Sequence, residues 1–466
     1  MSVPAAVKIG VVVLAAGKGT RLRSDAPKAL HTVAGRTLLG WTLDSIAPLG
    51  ATATVAVVGD GAAAVTAALP DGVGHTIQDP QLGTGDAARL GLEHLPPDVD
   101  TVLIVPVDMP LLSSDTLRSV VDTHHRSGNV ATMLVAAISD PTGYGRVLRD
   151  GDAVVGIIEE GDASDEQRTI DEINTSVYAF DRARLTAALA SLENDNAQGE
   201  YYLTDVIHQF AAGDDPVGVV TTDEVEALGV NTLSQLAAAG ASLRRRINKR
   251  LMDDGVAMVD PDRVYVDAGV TVAAGARLYP DVYLQGETSV GAGAEVGPSV
   301  HVTDTSIGEL ATIRFAVIDG TVIGKGAIVG PFTHLRPGTD LGEGAKAGEF
   351  VGIKNSTIGK GSKVPHLSYV GDADIGEGSN IGAGTVTVNY DGFEKHRTKI
   401  GDRVRIGSDT MLIAPVEIGD DAFTGAGSVI TEDVPPGALA IERSPQVEVP
   451  GYAERRKRRA AQDGDS

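Results

Sequence analysis

Over the second half of the chain an aliphatic residue followed by glycine keeps returning. The pairs are Val290-Gly291, Val296-Gly297, Ile307-Gly308, Ile323-Gly324, Val329-Gly330, Leu341-Gly342, Ile358-Gly359, Ile375-Gly376, Ile381-Gly382, Ile400-Gly401, Ile406-Gly407 and Ile418-Gly419. Many of the spacings are six residues or multiples of six. Positions 323, 329 and 341 share one register, and so do 400, 406, 412 and 418. This is the hexapeptide period of a parallel β-helix, expected from about Val264 onward. The aliphatic side chain points inward and stacks on its copy one coil away, and glycine permits the turn that follows. A glycine count of 57 with only 4% aromatics fits many tight turns and disfavours an aromatic-rich core. The repeat is interrupted near 331–340 and 387–398, where loops are expected to bulge out and chemistry to gather.

The preceding stretch has a different rhythm. Residues from about 7 to 230 alternate apolar runs (Ile9–Ala15, Thr54–Val58, Thr101–Val105, Ala131–Ala137) with helical patterns such as Leu38–Ile46 and Asp86–His94. This βαβ alternation predicts a mainly parallel, doubly wound, Rossmann-like α/β domain with helices on both faces, binding ligands at the carboxyl ends of its strands. Between Leu228 and Met252, apolar residues at helical spacing predict a helical arm. Its basic cluster (Arg244, Arg245, Arg246, Lys249 and Arg250) reads as a solvated face. The expected organisation is an α/β domain over 1–230, a helical linker over 231–252, the β-helix over 253–451 and a disordered, solvated tail over 452–466.

A net charge of −24 argues against a general nucleic-acid or membrane-surface role. Without cysteine there is no disulfide, thiolate metal site or cysteine nucleophile. No leader pattern opens the chain and no apolar run reaches about 18 residues, so no membrane insertion and a cytoplasmic protein are expected.

The stretch LAAGKGTRLRSDAPK, Leu14 to Lys28, leaves the first strand. Gly17 and Gly19 let backbone approach a ligand closely, and N–H groups in such a turn can cradle phosphate oxygens. Lys18, Arg21, Arg23 and Lys28 gather cations within one loop's reach. Glycine-rich junctions also occur as plain connections. This one matches neither the Walker loop nor the dinucleotide fingerprint. Farther on, Gln78 and Gln81-Leu82-Gly83-Thr84-Gly85 offer an amide and a second glycine turn suited to a pyrimidine edge and a ribose. Asp108 ends an apolar strand, where a carboxylate suits Mg2+ or caps the turn before Met109-Pro110. The strings Pro141–Arg146, Glu159, Glu172–Ser176 and Asn196–Asp205 supply amides and carboxylates for sugar hydroxyls, and Asn231 follows.

The opening stretch resembles the signature of sugar-nucleotide pyrophosphorylases, LxxGxGxRL followed by Pro-Lys. Over about 450 residues the chain resembles the bifunctional bacterial enzymes that make UDP-N-acetylglucosamine, which join an N-acetylglucosamine-1-phosphate uridylyltransferase to a glucosamine-1-phosphate acetyltransferase. The resemblance implies that Leu14, Ala15, Ala16, Gly17, Lys28, Gln78, Gly83 and Thr84 hold UTP or its UDP moiety. It assigns the sugar to Gly145, Glu159 and Asn174, and Mg2+ to Asp108 and Asn231. Arg21 and Lys28 would offset triphosphate charge. Two departures stand out: Val107 and Ser176 take positions where such enzymes commonly carry glycine. Val107 adds bulk where backbone is expected to approach the ligand.

In the second half, several residues exceed what a stacking core requires. They are His334-Leu335-Arg336-Pro337, Lys354, His366 with Tyr369 in KVPHLSYVGDADIG, Asn380, and Asn389-Tyr390-Asp391-Gly392. Acetyl transfer to an amine needs a base near neutral pH, which histidine supplies. By resemblance His366 is that base. Arg336, Lys354 and Tyr369 bind the sugar phosphate, with Asn380, Asn389 and Tyr390 beside it. Ala383, Ser408, Ala426 and Arg443 contact acetyl-CoA. Sites between subunits and left-handed winding belong to the same family, implying a homotrimer. The expected function is acetyl-CoA-dependent acetylation of glucosamine-1-phosphate, then Mg2+-dependent uridylyl transfer from UTP to N-acetylglucosamine-1-phosphate, supplying peptidoglycan and other envelope polymers. The alternative is a single-activity nucleotidyltransferase whose β-helix is purely structural.

Overall fold

The computed structural model describes residues 7–196, 198–213 and 215–463. Residue 197 of the Asn196–Asp205 string and residues 464–466 of the expected tail therefore lie outside the described residues. The chain divides into two compact units that meet between Lys249 and Arg250.

The first unit is built on the opening strand Ile9–Ala15. Its residues alternate between two cores, as a strand buried on both faces requires. Val12 belongs to one hydrophobic cluster and Leu14 packs against it. Val11, Val13 and Ala15 belong to the other. Thr101–Pro106 and Ala53–Val58 flank this strand in parallel, and Val73–Ile77 follows on the outer edge. On the other side Glu172–Asp181 runs antiparallel between Thr101–Pro106 and Ala131–Ala137, and Val217–Thr221 closes the sheet in parallel. A hairpin of Gly145–Asp150 and Ala153–Ile158 pairs with Ile173 and Asn174. Helices Thr84–Glu93, Arg182–Leu189 and Thr204–Ala212 cover one face through Ala88, Leu185 and Val206. Leu38–Ile46 and Ser114–Ser127 cover the other through Leu39 and Leu117. The sheet is doubly wound, as expected, with one antiparallel strand inserted.

The expected arm forms as the helix Leu233–Asp253. Within the first unit Ala239 and Leu243 join Leu22, Val33, Leu38, Leu111 and Val230 in a separate apolar cluster. The arm thus braces the glycine-rich turn at Leu22. Its basic end is not wholly a solvated face, because Arg246 Nη2 donates to Leu111 O at 2.6 Å.

The second unit is a three-sided parallel β-helix whose successive coils pair strand on strand. One inward column runs Val266, Leu284, Val302, Ile318, Leu335, Ile353 and Val370, all at most 4% exposed. Glycine after the inward residue serves close coil approach. A Cβ on Gly324, for example, would stand 2.6 Å from Gly342 C in the next coil. Thr387 is the polar member of this stack, and it satisfies its hydroxyl by donating to Gly371 O at 2.9 Å.

The two interruptions of the repeat behave differently. Near 387–398 a loop does leave the coil, between the strands Val386–Val388 and Thr398–Ile400: Asp374 and Lys399 are register partners in successive coils although 25 positions apart, where Thr357 and Asp374 are 17 apart. At 331–340 no loop forms. Thr333–Leu335 is an ordinary strand of the stack, pairing with Ala316–Ile318 below and Gly352–Ile353 above. The pattern vanishes there because the inward residue on this side is followed by a polar one: Leu335-Arg336 here, Ile318-Asp319 and Ile353-Lys354 in its neighbours. The tail also differs from expectation. Tyr452–Asp463 is a helix with no buried residue. Its Ala, Arg, Lys, Glu and Gln content carries high intrinsic helix propensity, which the low-hydrophobicity reading ignored.

Candidate active sites

The carboxyl ends of the first unit's strands open on a cleft of about 590 Å³. It is lined by Leu14, Ala16, Gly17, Lys28, Gln78, Gly83, Thr84, Asp108, Gly145, Glu159, Asn174 and Asn231. Residues spread over more than two hundred positions of sequence thus share one concave surface. Ala15 points the other way, into the core, as strand alternation dictates. Arg21 is exposed and outside the lining set, although its charge is felt at the Tyr144 phenol.

Each wall has a local cause. Gly19 adopts φ +61 and leaves no room for a Cβ, which would stand 2.8 Å from Lys28 Cβ. Gly83 has φ +106, and a Cβ there would meet Tyr201 O at 2.6 Å. Gln78 Nε2 donates to Gly83 O and to Asp86 Oδ2, both at 2.9 Å, fixing the second glycine turn at the start of its helix. Thr84 Oγ1 accepts from Leu203 N at 3.1 Å. Gln81, which the resemblance did not assign, donates to Ala16 O at 2.7 Å and ties the two glycine turns together.

Lys28 is 8% exposed. Its ammonium donates to Asp108 Oδ2 at 2.5 Å and to Asn231 Oδ1 at 2.7 Å. Val230 N donates to Asp108 O at 2.8 Å, locking the two segments together. Two hard oxygen donors therefore converge on one cationic position, the donor chemistry that suits Mg2+ when substrate phosphates complete its shell. Val107 is 4% exposed and belongs to the core cluster, so the core takes up much of its bulk.

At the far end Glu159 is partly buried, and desolvation raises its carboxyl pKa, while Thr204 Oγ1 donates to it at 3.3 Å. Asn174 Oδ1 accepts from Tyr178 Oη at 2.9 Å. Ser176 sits at φ +63 beside a bulge in its strand. That conformation favours glycine, the residue the resemblance puts at this position.

In the second unit the imidazole of His366 lies 2.9 Å, through Nδ1, from Glu349 Oε1. The two residues pair across adjacent coils. Glu349 was missed in the sequence, and its signal was available: it precedes His366 by 17 residues, one coil. The same edge continues coil by coil. Gly384 N donates to His366 O, Asp409 N to Ala383 O and Gly427 N to Ser408 O, and Arg443 Nη1 reaches Ala426 O at 2.9 Å. Ala383, Ser408, Ala426 and Arg443 thus follow His366 along one line, at about 4.8 Å per coil.

Around the corner, Arg336 and Lys354 lie in adjacent coils, with Arg336 N donating to Ile353 O. Lys395 from the inserted loop presses on Lys354 and, with Arg336, holds its ammonium below the usual lysine range. Sequence reasoning also missed Lys395. Asp372 is the counter-charge. Burial opposes its ionisation, yet hydrogen bonds from Asn355 and Asn389 and the neighbouring lysines hold its carboxyl below the ordinary range. Tyr369 and Asn389 meet over Gly371, where a Cβ would stand 2.5 Å from Tyr369 Oη and 2.8 Å from Asn389 Nδ2. Asn380 bridges the ladder between Lys363 and Arg405. Tyr390 is exposed, its hydroxyl donating to Gly392 O at 2.7 Å.

Residues 11–209 match the MobA-like NTP transferase domain family, and residues 397–432 match the bacterial transferase hexapeptide (six repeats) family. The three-sided coil is accordingly the left-handed β-helix expected for hexapeptide repeats. The chain is 49% identical to the bifunctional protein GlmU of Heliobacterium modesticaldum, over 93% of this chain and 95% of that one. It is 48% identical to that of Mycolicibacterium vanbaalenii, over 96% and 93% of the two chains. To that of Mycolicibacterium smegmatis it is 46% identical, over 98% and 97%. Identity of that order across both halves, with both family matches in the same order, means that the chain belongs to the family of bifunctional GlmU proteins.

Proposed function

We propose that the β-helix acetylates glucosamine-1-phosphate and that the α/β domain uridylylates the product, yielding UDP-N-acetylglucosamine and pyrophosphate. The chain is a bifunctional acetyltransferase and nucleotidyltransferase of UDP-N-acetylglucosamine synthesis. The observation that carries the assignment of two sites is the pairing of His366 with Glu349, far along the chain from the cleft of Lys28 and Asp108. A purely structural β-helix requires no such pair.

For acetyl transfer, His366 donates Nδ1–H to Glu349, leaving Nε2 as the acceptor. Nε2 takes a proton from the substrate amine as its nitrogen attacks the thioester carbonyl, and as the C–S bond breaks it passes that proton to the leaving sulfur, so that the coenzyme departs as the thiol. Arg336, Lys354 and Lys395 hold the sugar phosphate, with Tyr369 and Asn389 beside it. Ala383, Ser408, Ala426 and Arg443 line the run along which acetyl-CoA extends from His366.

For uridylyl transfer no protein nucleophile is needed. An oxygen of the sugar phosphate attacks the α-phosphorus in line, and pyrophosphate departs. The two glycine turns and Gln78 hold the nucleotide, while Gly145, Glu159 and Asn174 orient the sugar. Arg21 and Lys28 offset charge on the phosphates. Asp108 and Asn231 would hold Mg2+, which would supply neutralisation of the charge developing in transfer.

We further propose a homotrimer. At one edge of the β-helix Phe315, Phe332 and Phe350 form a ladder with centroids 5.6 and 5.2 Å apart, and Leu367 extends it. They are 40–64% exposed, an apolar ridge that a second copy would cover. No helix among the described residues is long and apolar enough to cross a membrane, and both co-substrates are cytoplasmic metabolites. The reading therefore places the reaction in the cytoplasm. One coupled assay tests the whole: glucosamine-1-phosphate, acetyl-CoA, UTP and Mg2+ together should give UDP-N-acetylglucosamine. Omission of acetyl-CoA or glucosamine-1-phosphate should be rescued by N-acetylglucosamine-1-phosphate. Omission of UTP or Mg2+ should not. A product without acetyl-CoA from the unacetylated sugar would overturn the order of the two steps.

A further inference from the structure

Tyr144 lies in the turn between the sugar end and the phosphate end of the cleft, and its ring lines that cleft. Two anchors fix it. From below, the guanidinium of Arg146, 1% exposed, donates to the carbonyl of Tyr144 itself and to Ile170 O at 3.1 Å. Arg146 also forms an ion pair with Glu160 at 2.8 Å. A buried arginine with this many acceptors is a rigid support for the turn. From across the cleft, Gly229 N donates to Tyr144 Oη at 3.0 Å. Gly229 starts the segment that carries Asn231, and Val230 N is bonded to Asp108 O.

The direction of the Gly229 bond matters. The phenol oxygen is the acceptor, so its own proton remains available to donate. Among the described residues the hydroxyl donates to no acceptor. The phenol is also within electrostatic reach of both Asp108 and Arg21, while burial raises its pKa, so it stays protonated at neutral pH. A neutral donor held by Gly229 within electrostatic reach of a carboxylate and a guanidinium lies on the cleft wall where phosphate oxygens are expected.

We infer that Tyr144 is a further substrate-positioning residue of uridylyl transfer, its hydroxyl donating to the phosphate of the incoming sugar phosphate while Gly229 holds it in register with Asp108 and Asn231. The inference rests on the uridylyltransferase reading of the cleft. It goes beyond that reading in assigning a contact to a side chain the resemblance left unassigned, and in making the sugar turn and the Asp108–Asn231 segment one unit.

The test is Tyr144→Phe in the full chain, which removes one oxygen and keeps the ring. Binding of UDP-N-acetylglucosamine and of UTP is measured by calorimetry, and both reactions by rate. Expected are a weakening of about tenfold for UDP-N-acetylglucosamine, a similar rise in KM for N-acetylglucosamine-1-phosphate, unchanged UTP affinity and unchanged acetyl transfer. Emission from Trp41, the single tryptophan, which packs against the cluster containing Val230, reports whether that segment keeps its place. Equal loss for both ligands, or a shifted Trp41 emission in the free variant, would reduce Tyr144 to a structural support and overturn the inference. No loss for either would overturn it as well. Failure of the parent chain to bind UDP-N-acetylglucosamine would instead strike the underlying reading of the cleft.

Discussion

Lys28 and Asp108 form a largely buried ion pair, 2.5 Å between Nζ and Oδ2, with side chains 10% and 23% exposed. Because Asn231 shares the same ammonium, the cation of the polypeptide occupies the point at which the proposed metal ligands converge. Lysine and a divalent ion therefore compete for these oxygens until a phosphate draws the lysine away. Lys28→Met is expected to bind Mn2+ more tightly than the parent in the absence of nucleotide, while losing at least tenfold in UTP affinity. Removing one partner of a buried pair typically costs about 3–5 kcal/mol, so the α/β domain should also melt earlier without metal. Calorimetric titration with Mn2+ decides the matter; equal or weaker Mn2+ binding in the variant rules out competition.

The two activities should separate cleanly. Asp108→Ala is expected to abolish uridylyl transfer and leave acetyl transfer at the parental rate. His366→Ala should do the reverse, with acetyl transfer down by about 10²–10⁴-fold for a lost general base. Normal uridylyl turnover in Asp108→Ala would remove that residue from metal binding. Retained acetyl transfer in His366→Ala would exclude it as the base.

Glu349 should act through His366 rather than on substrate. Glu349→Gln keeps the size but weakens the hold on Nδ1. Acetyl transfer should fall about tenfold or more. The KM for glucosamine-1-phosphate should stay near that of the parent. A parental rate would leave the pair without a role in acetyl transfer.

The sequence carried the architecture because both patterns are periodic. Alternation along Ile9–Ala15 and the hexapeptide stack each repeat a local rule many times, so single exceptions do not obscure them. The exceptions cost detail. The stretch at 331–340 looked like a loop because aliphatic-glycine marks only the sides where coils approach backbone to backbone, and Leu335-Arg336 lies on another side. Most cleft residues were legible through motif strings. Tyr144, Glu349 and Lys395 were not assigned, because their roles come from contacts across a cleft, between coils or from a loop, which linear spacing does not encode unless the coil length is applied as a ruler. Ser176 shows the converse, a local departure whose strain only the backbone angle reveals.

That strain gives a stabilising substitution. Ser176 holds φ +63, a left-handed conformation that costs an L-residue with a Cβ roughly 1–2 kcal/mol relative to glycine. Glycine's greater freedom in the unfolded chain offsets part of this. Ser176→Gly is expected to raise the melting temperature of the α/β domain by about 2–4 °C, the shift that corresponds to a net gain of about 1 kcal/mol in a domain of this size. A lowered melting temperature would mean that the serine hydroxyl contributes more than the backbone angle costs.

His124 sets an acid limit on the same domain. It is 4% exposed beneath the sheet, with Nδ1 3.3 Å from Thr132 Oγ1. Its pKa falls from 6.5 to about 4, first because burial penalises the charged ring and next because His125 repels it, while Asp181 opposes both. The unfolded chain therefore binds more protons at this site than the folded one between about pH 6.5 and pH 4. By linkage, stability rises with pH across that window and is lost as pH falls from 6.5, the loss reaching its full size only near pH 4. At about 1.36 kcal/mol per pKa unit the loss is at most about 3 kcal/mol. Above pH 7 the site adds no slope. His124→Gln, which keeps a polar group near Thr132 but cannot be charged, is expected to lower stability at pH 7.5 slightly and to flatten the decline between pH 6.5 and 4. Denaturant melts of the parent and variant at a series of pH values measure both slopes. Parallel slopes would place the acid sensitivity elsewhere in the domain.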